Sequence, residues 1–188
     1  MKLLGLHGTA RCGKDTVAAF LEEYGFQSTA FARPLKDMLG ALLQMNDTVL
    51  EEMKDKTLEL GCTPRVLMQT LGTEWGRDIV GGLISPGESL WVRLMRERLD
   101  MHYRLGIDTV LTDVRFQDEA DLIHELGGAV VHIYRNRTDM IATPDHKSEK
   151  GILFAAKGDY VLANHTTLKD LESRISVLVE MVQADQRG

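Results

Sequence analysis

The chain has 188 residues and a formal charge of −6, from 22 Lys and Arg against 28 Asp and Glu, with a hydrophobic share of 44%. That length suits one domain, or one domain with an insertion, and the composition is ordinary for a globular fold. The acidic balance argues against a nucleic-acid backbone as main partner and against a polybasic membrane anchor, and two cysteines, Cys12 and Cys62, are too few for a disulfide framework or a four-cysteine zinc site.

No apolar run approaches the roughly 20 residues of a membrane span. Met1 to His7 is apolar but far shorter than a signal-peptide core, and the cysteine count suits a reduced, cytoplasmic compartment, which is therefore expected. In chain order, Lys2 to His7 is a short apolar run closed by Gly8 and predicts a buried strand. Asp15 to Glu23 has a helical pattern that stops near Gly25. Phe26 to Ala32 predicts a second strand, and Pro34 opens a helix with Leu35, Met38, Leu39, Leu42 and Leu43 on its apolar side. Asn46 to Gly61 is charged and weakly amphipathic, an excursion from the main sheet. Thr63-Pro64 predicts a helix start, Thr as N-cap and Pro next, with the helix reaching Val80 before Gly81-Gly82. Glu88 to Leu105 predicts another helix. Asp108 to Thr112 then predicts a strand, Phe116 to Leu126 a helix, Ala129 to Tyr134 a strand and Tyr160 to Ala163 a last strand. Asn136 to Gly151 is polar and loop-like. Thr167 caps a final helix with Leu168, Leu171, Ile175, Leu178 and Val182 on one stripe. Strands alternating with helices predict a mainly parallel sheet with helices on both faces, a three-layer sandwich. Ligands of such sheets bind beyond the carboxyl ends of the strands.

Gly8-Thr9-Ala10-Arg11-Cys12-Gly13-Lys14-Asp15-Thr16 fits G-x-x-x-x-G-K between a strand and a helix, the context of a phosphate loop. Glycines let the backbone wrap around a phosphate, the helix N-terminus adds its dipole, and Lys14 would place a charge at the β and γ phosphates. The residue after the lysine is usually Ser or Thr; here it is Asp15, followed by Thr16. Asp15 could approach a magnesium ion, directly or through water, or could only favour the helix start. Arg11 could clamp phosphate or be a solvated surface residue, and Cys12 fits as a small loop residue. No Asn-Lys-x-Asp element is present, which argues against a guanine-nucleotide switch.

Between Thr63 and Asp78, helical spacing puts Leu67, Leu71 and Trp75 on one side and Arg65, Gln69, Gly72 and Gly76 on another, beside Thr73. Two glycines on an exposed face would each cost up to ~1 kcal/mol against alanine, so something flat, or another backbone, comes close there. Arg65 could fork onto a monophosphate and Gln69 could read a base edge; the alternative is tight packing on a neighbouring helix. Arg33 and Lys36 follow the second strand and could grip an anionic acceptor. Trp91 suits core packing or stacking on a base. Asp113, after an apolar run, could hold the metal or its water. Arg115 could offset charge where phosphates meet or could pair with Glu119 at helical spacing. Arg135 and Arg137 open the polar stretch and suit a lid that excludes water. His146 and Glu149 lack a third ligand for zinc.

Several of these segments together resemble a known family. Gly8 to Thr16 with its Gly-Lys-Asp-Thr ending, Pro34-Leu35-Lys36, Pro64 to Thr73, Asp113 to Glu119, His146-Lys147-Ser148-Glu149 and Asp159 to Asn164 are similar, in order and over nearly the whole chain, to the bacteriophage deoxynucleoside monophosphate kinases. The resemblance implies one P-loop kinase domain over 1–188, with an acceptor-binding helical region about 34–105 and a lid about 135–151. It implies transfer of the γ-phosphoryl group of ATP to a deoxynucleoside monophosphate, giving the diphosphate and ADP, with Mg²⁺ held near Asp15 and Asp113. By that similarity Arg11, Cys12, Gly13, Lys14, Asp15 and Thr16 would contact ATP. Ala10, Leu35, Lys36, Arg65, Gln69, Gly72, Thr73 and Trp91 would form the acceptor site. Lys14, Asp113 and Arg115 would serve the transfer, and Asn164 would lie near the adenine. The implied partners are small nucleotides, in the host cytoplasm for a phage-encoded protein, with a homodimer allowed. Two other readings stay open: a kinase for another small anion such as dephospho-coenzyme A, and a non-enzymatic ATP-binding module.

Overall fold

The computed structural model describes residues 1–84, 88–135, 152–153 and 158–185. It divides into a sheet unit, Met1–Ala30 with Glu97–Gly188, and a helical unit, Phe31–Arg96.

The sheet unit holds β1 (Leu3–His7), β2 (Gln27–Thr29), β3 (Thr109–Val114), β4 (Ala129–Tyr134) and β5 (Tyr160–Ala163), in the order β2-β3-β1-β4-β5. Every neighbouring pair is parallel. Helix α1 (Lys14–Glu23) and α8 (Leu168–Asp185) cover one face, where Val17, Ala18, Leu21, Leu171, Ile175 and Val182 close a core with Leu4, Leu6, Val110 and Val131. α7 (Gln117–Glu125) covers the other, with Ile123 fully buried. The chain moves outward from β1 to β2, returns through β3 and then crosses to β4. The carboxyl end of β1 is therefore the point where the strand order reverses, the place such sheets bind ligands.

Three elements of this unit differ from the sequence pattern. β2 is only Gln27–Thr29, because Phe31 already belongs to the turn into the next helix. β3 extends to Val114, so Asp113 lies inside the strand. Leu168 of α8 is exposed, and the buried stripe runs instead through Leu171, Ile175, Leu178, Val179 and Val182. Thr167 caps this helix as expected, its Oγ1 accepting the Asp170 N–H while the Asp170 carboxylate accepts the Thr167 N–H and hydroxyl.

The helical unit contains α2 (Arg33–Leu43), α3 (Asp47–Met53), α4 (Pro64–Gln69), a π-helix (Thr70–Val80), α5 (Gly81–Ile84) and the start of α6 (Leu90–Leu105). Asn46 caps α3 and Thr63 caps α4, each accepting the N–H three residues on. The helix begun at Thr63 does not stop at Gly81-Gly82 but continues through them to Ile84. The residue filling the space beside its glycines is Trp91. A Cβ on Gly76 would lie 2.6 Å from the indole Nε1, and that N–H donates to the Gly72 carbonyl at 2.8 Å. The flat object that the two glycines admit thus includes the chain's own tryptophan, buried at 5% exposure. On the α2 side, Gly72 faces Leu35, whose Cδ2 would sit 3.2 Å from an added Cβ.

Candidate active site

The loop from Gly8 to Gly13 joins the carboxyl end of β1 to α1. Arg11 (φ 64°) and Gly13 (φ 103°) both take left-handed backbone. Such residues turn successive N–H groups to one side, the geometry that cradles phosphate. Only glycine fits at Gly13, since an added Cβ would fall on the Asn164 side chain. Asn164 in turn donates its Nδ2–H to the Cys12 carbonyl at 2.8 Å, so the residue after β5 buttresses the loop. The resemblance implies Asn164 near the adenine; its hydrogen bond and its contact with Gly13 are with the phosphate loop itself.

No side chain caps α1. Its first N–H groups, those of Lys14, Asp15 and Thr16, have no partner within the helix and add the positive end of its dipole at the loop. The Lys14 ammonium is folded back onto the loop, donating to the carbonyls of Gly8 at 2.8 Å and Thr9 at 2.9 Å. Ala10, Arg11 and Asp15 are exposed on the loop and the first turn, and Thr16 is half-buried. The Cys12 side chain is instead 1% exposed and belongs to the sheet core. Its thiol lies 3.8 Å from the Lys14 ammonium, so the contact with ATP expected of Cys12 would run through its backbone.

Asp113 and Arg115 reach the same edge of the sheet from β3. Asp113 is half-buried and Arg115 exposed. The alternative offered for Arg115, a side-chain pair with Glu119, gives way to another arrangement. The buried Glu119 carboxylate accepts the backbone N–H groups of Arg115 at 2.7 Å and Phe116 at 3.1 Å. This fixes the turn into α7 and leaves the Arg115 guanidinium outside it. Arg135 is exposed directly after β4. Arg137, His146, Glu149 and the rest of the expected lid, about 136–151, lie outside the described residues.

For magnesium, Asp15 and Asp113 offer the hard oxygen donors that such an ion takes. Among the described residues no group of three His, Cys, Asp or Glu could hold a metal unaided. A magnesium ion needs no such cage, since it binds through one or two carboxylates with phosphate oxygens and water.

In the helical unit, Lys36, Arg65 and Gln69 are exposed, while Thr73 and Gly72 are half-buried. Leu35 is buried and, like Trp91, is committed to packing. Arg65 is already engaged: its Nε and Nη2 fork onto the two oxygens of Asp55, at 2.5 and 3.0 Å. That pairing raises the arginine pKa and holds the Asp55 carboxyl below its usual value. Arg33 is likewise taken, by Asp37 at 2.8 Å and Asp47 at 2.7 Å.

Solved structures of similar fold include a sugar kinase from a Janibacter species, at TM-score 0.53 and 13% identity, covering 96% of this chain and 95% of that one. Another is dephospho-CoA kinase from Campylobacter jejuni, at TM-score 0.54 and 16% identity over 98% of this chain and all of that one. Together with the parallel sheet and the glycine loop at its reversal point, they define a P-loop NTPase-like α/β fold. At the level of sequence, the family model for deoxynucleotide monophosphate kinase matches residues 53–175. A putative deoxynucleotide monophosphate kinase of Acanthamoeba polyphaga mimivirus is 33% identical over 96% of this chain and 97% of its own length. The deoxynucleoside-5'-monophosphate kinase of Escherichia phage T5 is 27% identical over 80% of this chain and 84% of its own. The deoxynucleotide monophosphate kinase of Escherichia phage RB69 is 32% identical over 61% of this chain and 44% of its own length. The chain belongs to the deoxynucleotide monophosphate kinase family and is a phosphotransferase.

Proposed function

We propose that the chain transfers the γ-phosphoryl group of ATP to a deoxynucleoside monophosphate, giving the diphosphate and ADP. The observation that carries this reading is the uncapped start of α1 beside Lys14 and the left-handed turn at Gly13, in a chain of this family. The N–H groups at Lys14, Asp15 and Thr16 would bind the phosphates of ATP. The Lys14 ammonium would leave the Gly8 and Thr9 carbonyls for the β and γ phosphate oxygens, and Arg11 would add charge at the loop tip. Magnesium, when bound, would neutralise charge on those phosphates, with Asp15 and Asp113 as its protein ligands, direct or through water.

The acceptor would bind in the helical unit. Its phosphate would take the Arg65 fork from Asp55, with Lys36 as a second cation, while Gln69 and Thr73 would offer hydrogen bonds to the base. A phosphate monoester is already nucleophilic near neutral pH, so no strong general base is required. Catalysis then consists of in-line positioning and of stabilising charge on the moving phosphoryl group by Lys14 and Arg115.

A coupled assay of ADP release with ATP and magnesium, run over the deoxynucleoside monophosphates, the ribonucleoside monophosphates and dephospho-coenzyme A, tests this. Release that depends on a deoxynucleoside monophosphate is expected. Release only with another acceptor would overturn the substrate class, and ATP binding without any acceptor-dependent release would leave only a nucleotide-binding module.

A further inference from the structure

The phosphate loop is entered through His7, the last residue of β1. Its Nδ1 lies 2.9 Å from the carbonyl of Val114, the last residue of β3 and the one before Arg115. A carbonyl can only accept, so Nδ1 carries the proton. This bond stands where the strand ladder is irregular. β1 and β3 pair as Leu3 with Thr109, Leu4 with Val110 and Gly5 with Leu111, but His7 then pairs with Val114. β3 therefore holds one residue more than β1 between these pairs, at Thr112-Asp113. Such a bulge re-aims the side chains that follow it. The His7 imidazole ties the bulged end of β3 to the base of the phosphate loop.

The ring is itself held. It meets His132, its register partner on β4, edge to face, with centroids 5.3 Å apart and planes at 70°. His132 Nε2 lies 3.2 Å from Oδ2 of Asp159, a carboxylate with no exposed surface. Oδ1 of the same carboxylate takes His124 Nε2 of α7 at 2.7 Å and the Val130 N–H at 3.0 Å. A buried carboxylate needs such donors. In satisfying them, Asp159 fixes the ring against which His7 rests. Neither His7 nor this group belongs to the loop motif, and the sequence gives no spacing that would single them out.

We infer that His7 is a positioning residue for phosphoryl transfer: through its Nδ1–H bond to the Val114 carbonyl it sets the distance between the phosphate loop and Arg115. It touches neither substrate. The inference rests on the proposed role of that loop in binding ATP. The charged and titratable groups facing the ring are Lys14 and His132. Burial, and then the two of them, hold the His7 pKa below the usual imidazole value, against the opposing bond to Val114. The neutral Nδ1–H form is accordingly the resting one near pH 7.

The test compares three full-length variants by kcat, by KM for each substrate, by ATP affinity in calorimetry and by thermal midpoint. His7→Asn keeps a donor near the Nδ1 position, His7→Gln moves it to the Nε2 position, and His7→Leu removes it. His7→Leu and His7→Gln should each lose about tenfold or more in kcat, since small misplacements at a transfer site are costly. Their KM for the acceptor should stay within about twofold, for Lys36, Arg65, Gln69 and Thr73, proposed to bind it, lie in the helical unit. His7→Asn should recover most of the loss. Equal kcat in His7→Asn and His7→Gln overturns the inference, even if His7→Leu does not fold, as does a His7→Leu enzyme that matches wild type. Failure of the wild-type enzyme to transfer to any acceptor would overturn the functional reading instead. Calorimetry would then decide the inference, with equal ATP affinity in all variants counting against it.

Discussion

The two units of this chain are built on different principles. The sheet unit buries Leu4, Leu6, Leu21, Val110, Ile123, Val131 and Ile175 almost completely, between layers of helices. The helical unit buries fewer apolar side chains for its size, among them Leu35, Leu39, Leu50, Trp91 and Val92. Its longest helical run passes through a π-helix, a wider winding found mostly in short pieces and often at functional sites. The contrast matches the work proposed for each. A phosphate loop must hold its N–H groups in place before the ligand arrives, and a well-packed sheet does that. A unit with fewer buried contacts has lower local stability, which suits one that must admit and release an acceptor.

The strongest way to break this division is at Lys14. If the sheet unit supplies the transfer chemistry, Lys14→Ala should lower kcat by about three orders of magnitude, as expected for a main charge contact in the transition state. Its thermal midpoint should stay near that of wild type, because the ammonium bonds only within its own loop, to the Gly8 and Thr9 carbonyls and the Cys12 thiol. Near-normal turnover would remove the phosphate loop from the chemistry. The helical unit has a matching weak point at Trp91. Trp91→Ala would empty the space beside Gly76 and leave the Gly72 carbonyl without its indole donor, at a cost of about 3–5 kcal/mol. Trp91→Phe keeps most of the volume and should cost about 1–2 kcal/mol. Both tryptophans of the chain, Trp75 and Trp91, belong to the helical unit. In Trp91→Phe the fluorescence of Trp75 therefore reports that unit alone, while circular dichroism reports both. Fluorescence unfolding at lower urea than the dichroism transition is expected; a single shared transition would mean that the units melt together.

How far the sequence revealed each unit follows from the same contrast. In the sheet unit, short apolar runs marked β1, β4 and β5 closely, and the glycine-lysine motif marked the loop, because these signals are local. Hidden from it were bonds made across the fold: Asn164 on the loop, Glu119 on the backbone of Arg115, and His7 on Val114. Cys12 looked like a loop residue by position, yet the turn directs its thiol into the core. In the helical unit the caps at Asn46-Asp47 and Thr63-Pro64 lie where short-range chemistry puts them. Of these, only the cap at Thr63 was expected. Periodicity failed past Thr70, since a π-helix does not repeat every 3.6 residues, and Gly81-Gly82 stays helical rather than breaking the run. Gly72 and Gly76 did signal a close approach. The partner, Trp91, lies 15 residues or more along the chain, and no local pattern could name it.

Acid should act on the two units in turn. His102, buried on α6, has its Nδ1 2.8 Å from the Thr109 hydroxyl, which itself donates to the Ile107 carbonyl. The hydroxyl must accept at that contact, so Nδ1 carries a proton. Burial, and then the charge of Arg98, lower the pKa of His102 from its usual value of 6.5. Its unfolded form thus binds the proton more readily. Stability falls as the pH drops from 6.5 toward the lowered folded value and levels off below it. Carboxylates of the helical unit, Glu51 and Asp55, are held low by Lys54 and Arg65, so their stabilising contribution is lost only below the ordinary carboxylate range. The thermal midpoint should decline as the pH falls below 6.5, and less in His102→Asn, which keeps a donor to Thr109. An identical decline in the variant would place the acid sensitivity elsewhere.

The smallest expected effect is the most specific to the helical unit. Arg65 is proposed to hold the acceptor phosphate, yet its fork is filled by Asp55, an exposed carboxylate with the same planar, two-oxygen geometry. An acceptor would then bind by displacing Asp55, and its affinity would be lowered by what that pair is worth. The pair is exposed and therefore worth little, so Asp55→Asn should lower the acceptor KM by only about 1.5- to fivefold. The KM for ATP and kcat should not move, because the Asp55–Arg65 pair belongs to the helical unit and the phosphate loop to the sheet unit. Arg65→Lys should go the other way, losing the two-point grip and raising the acceptor KM while keeping the charge. A raised acceptor KM in Asp55→Asn would show that the carboxylate orients Arg65 for its ligand rather than competing for it.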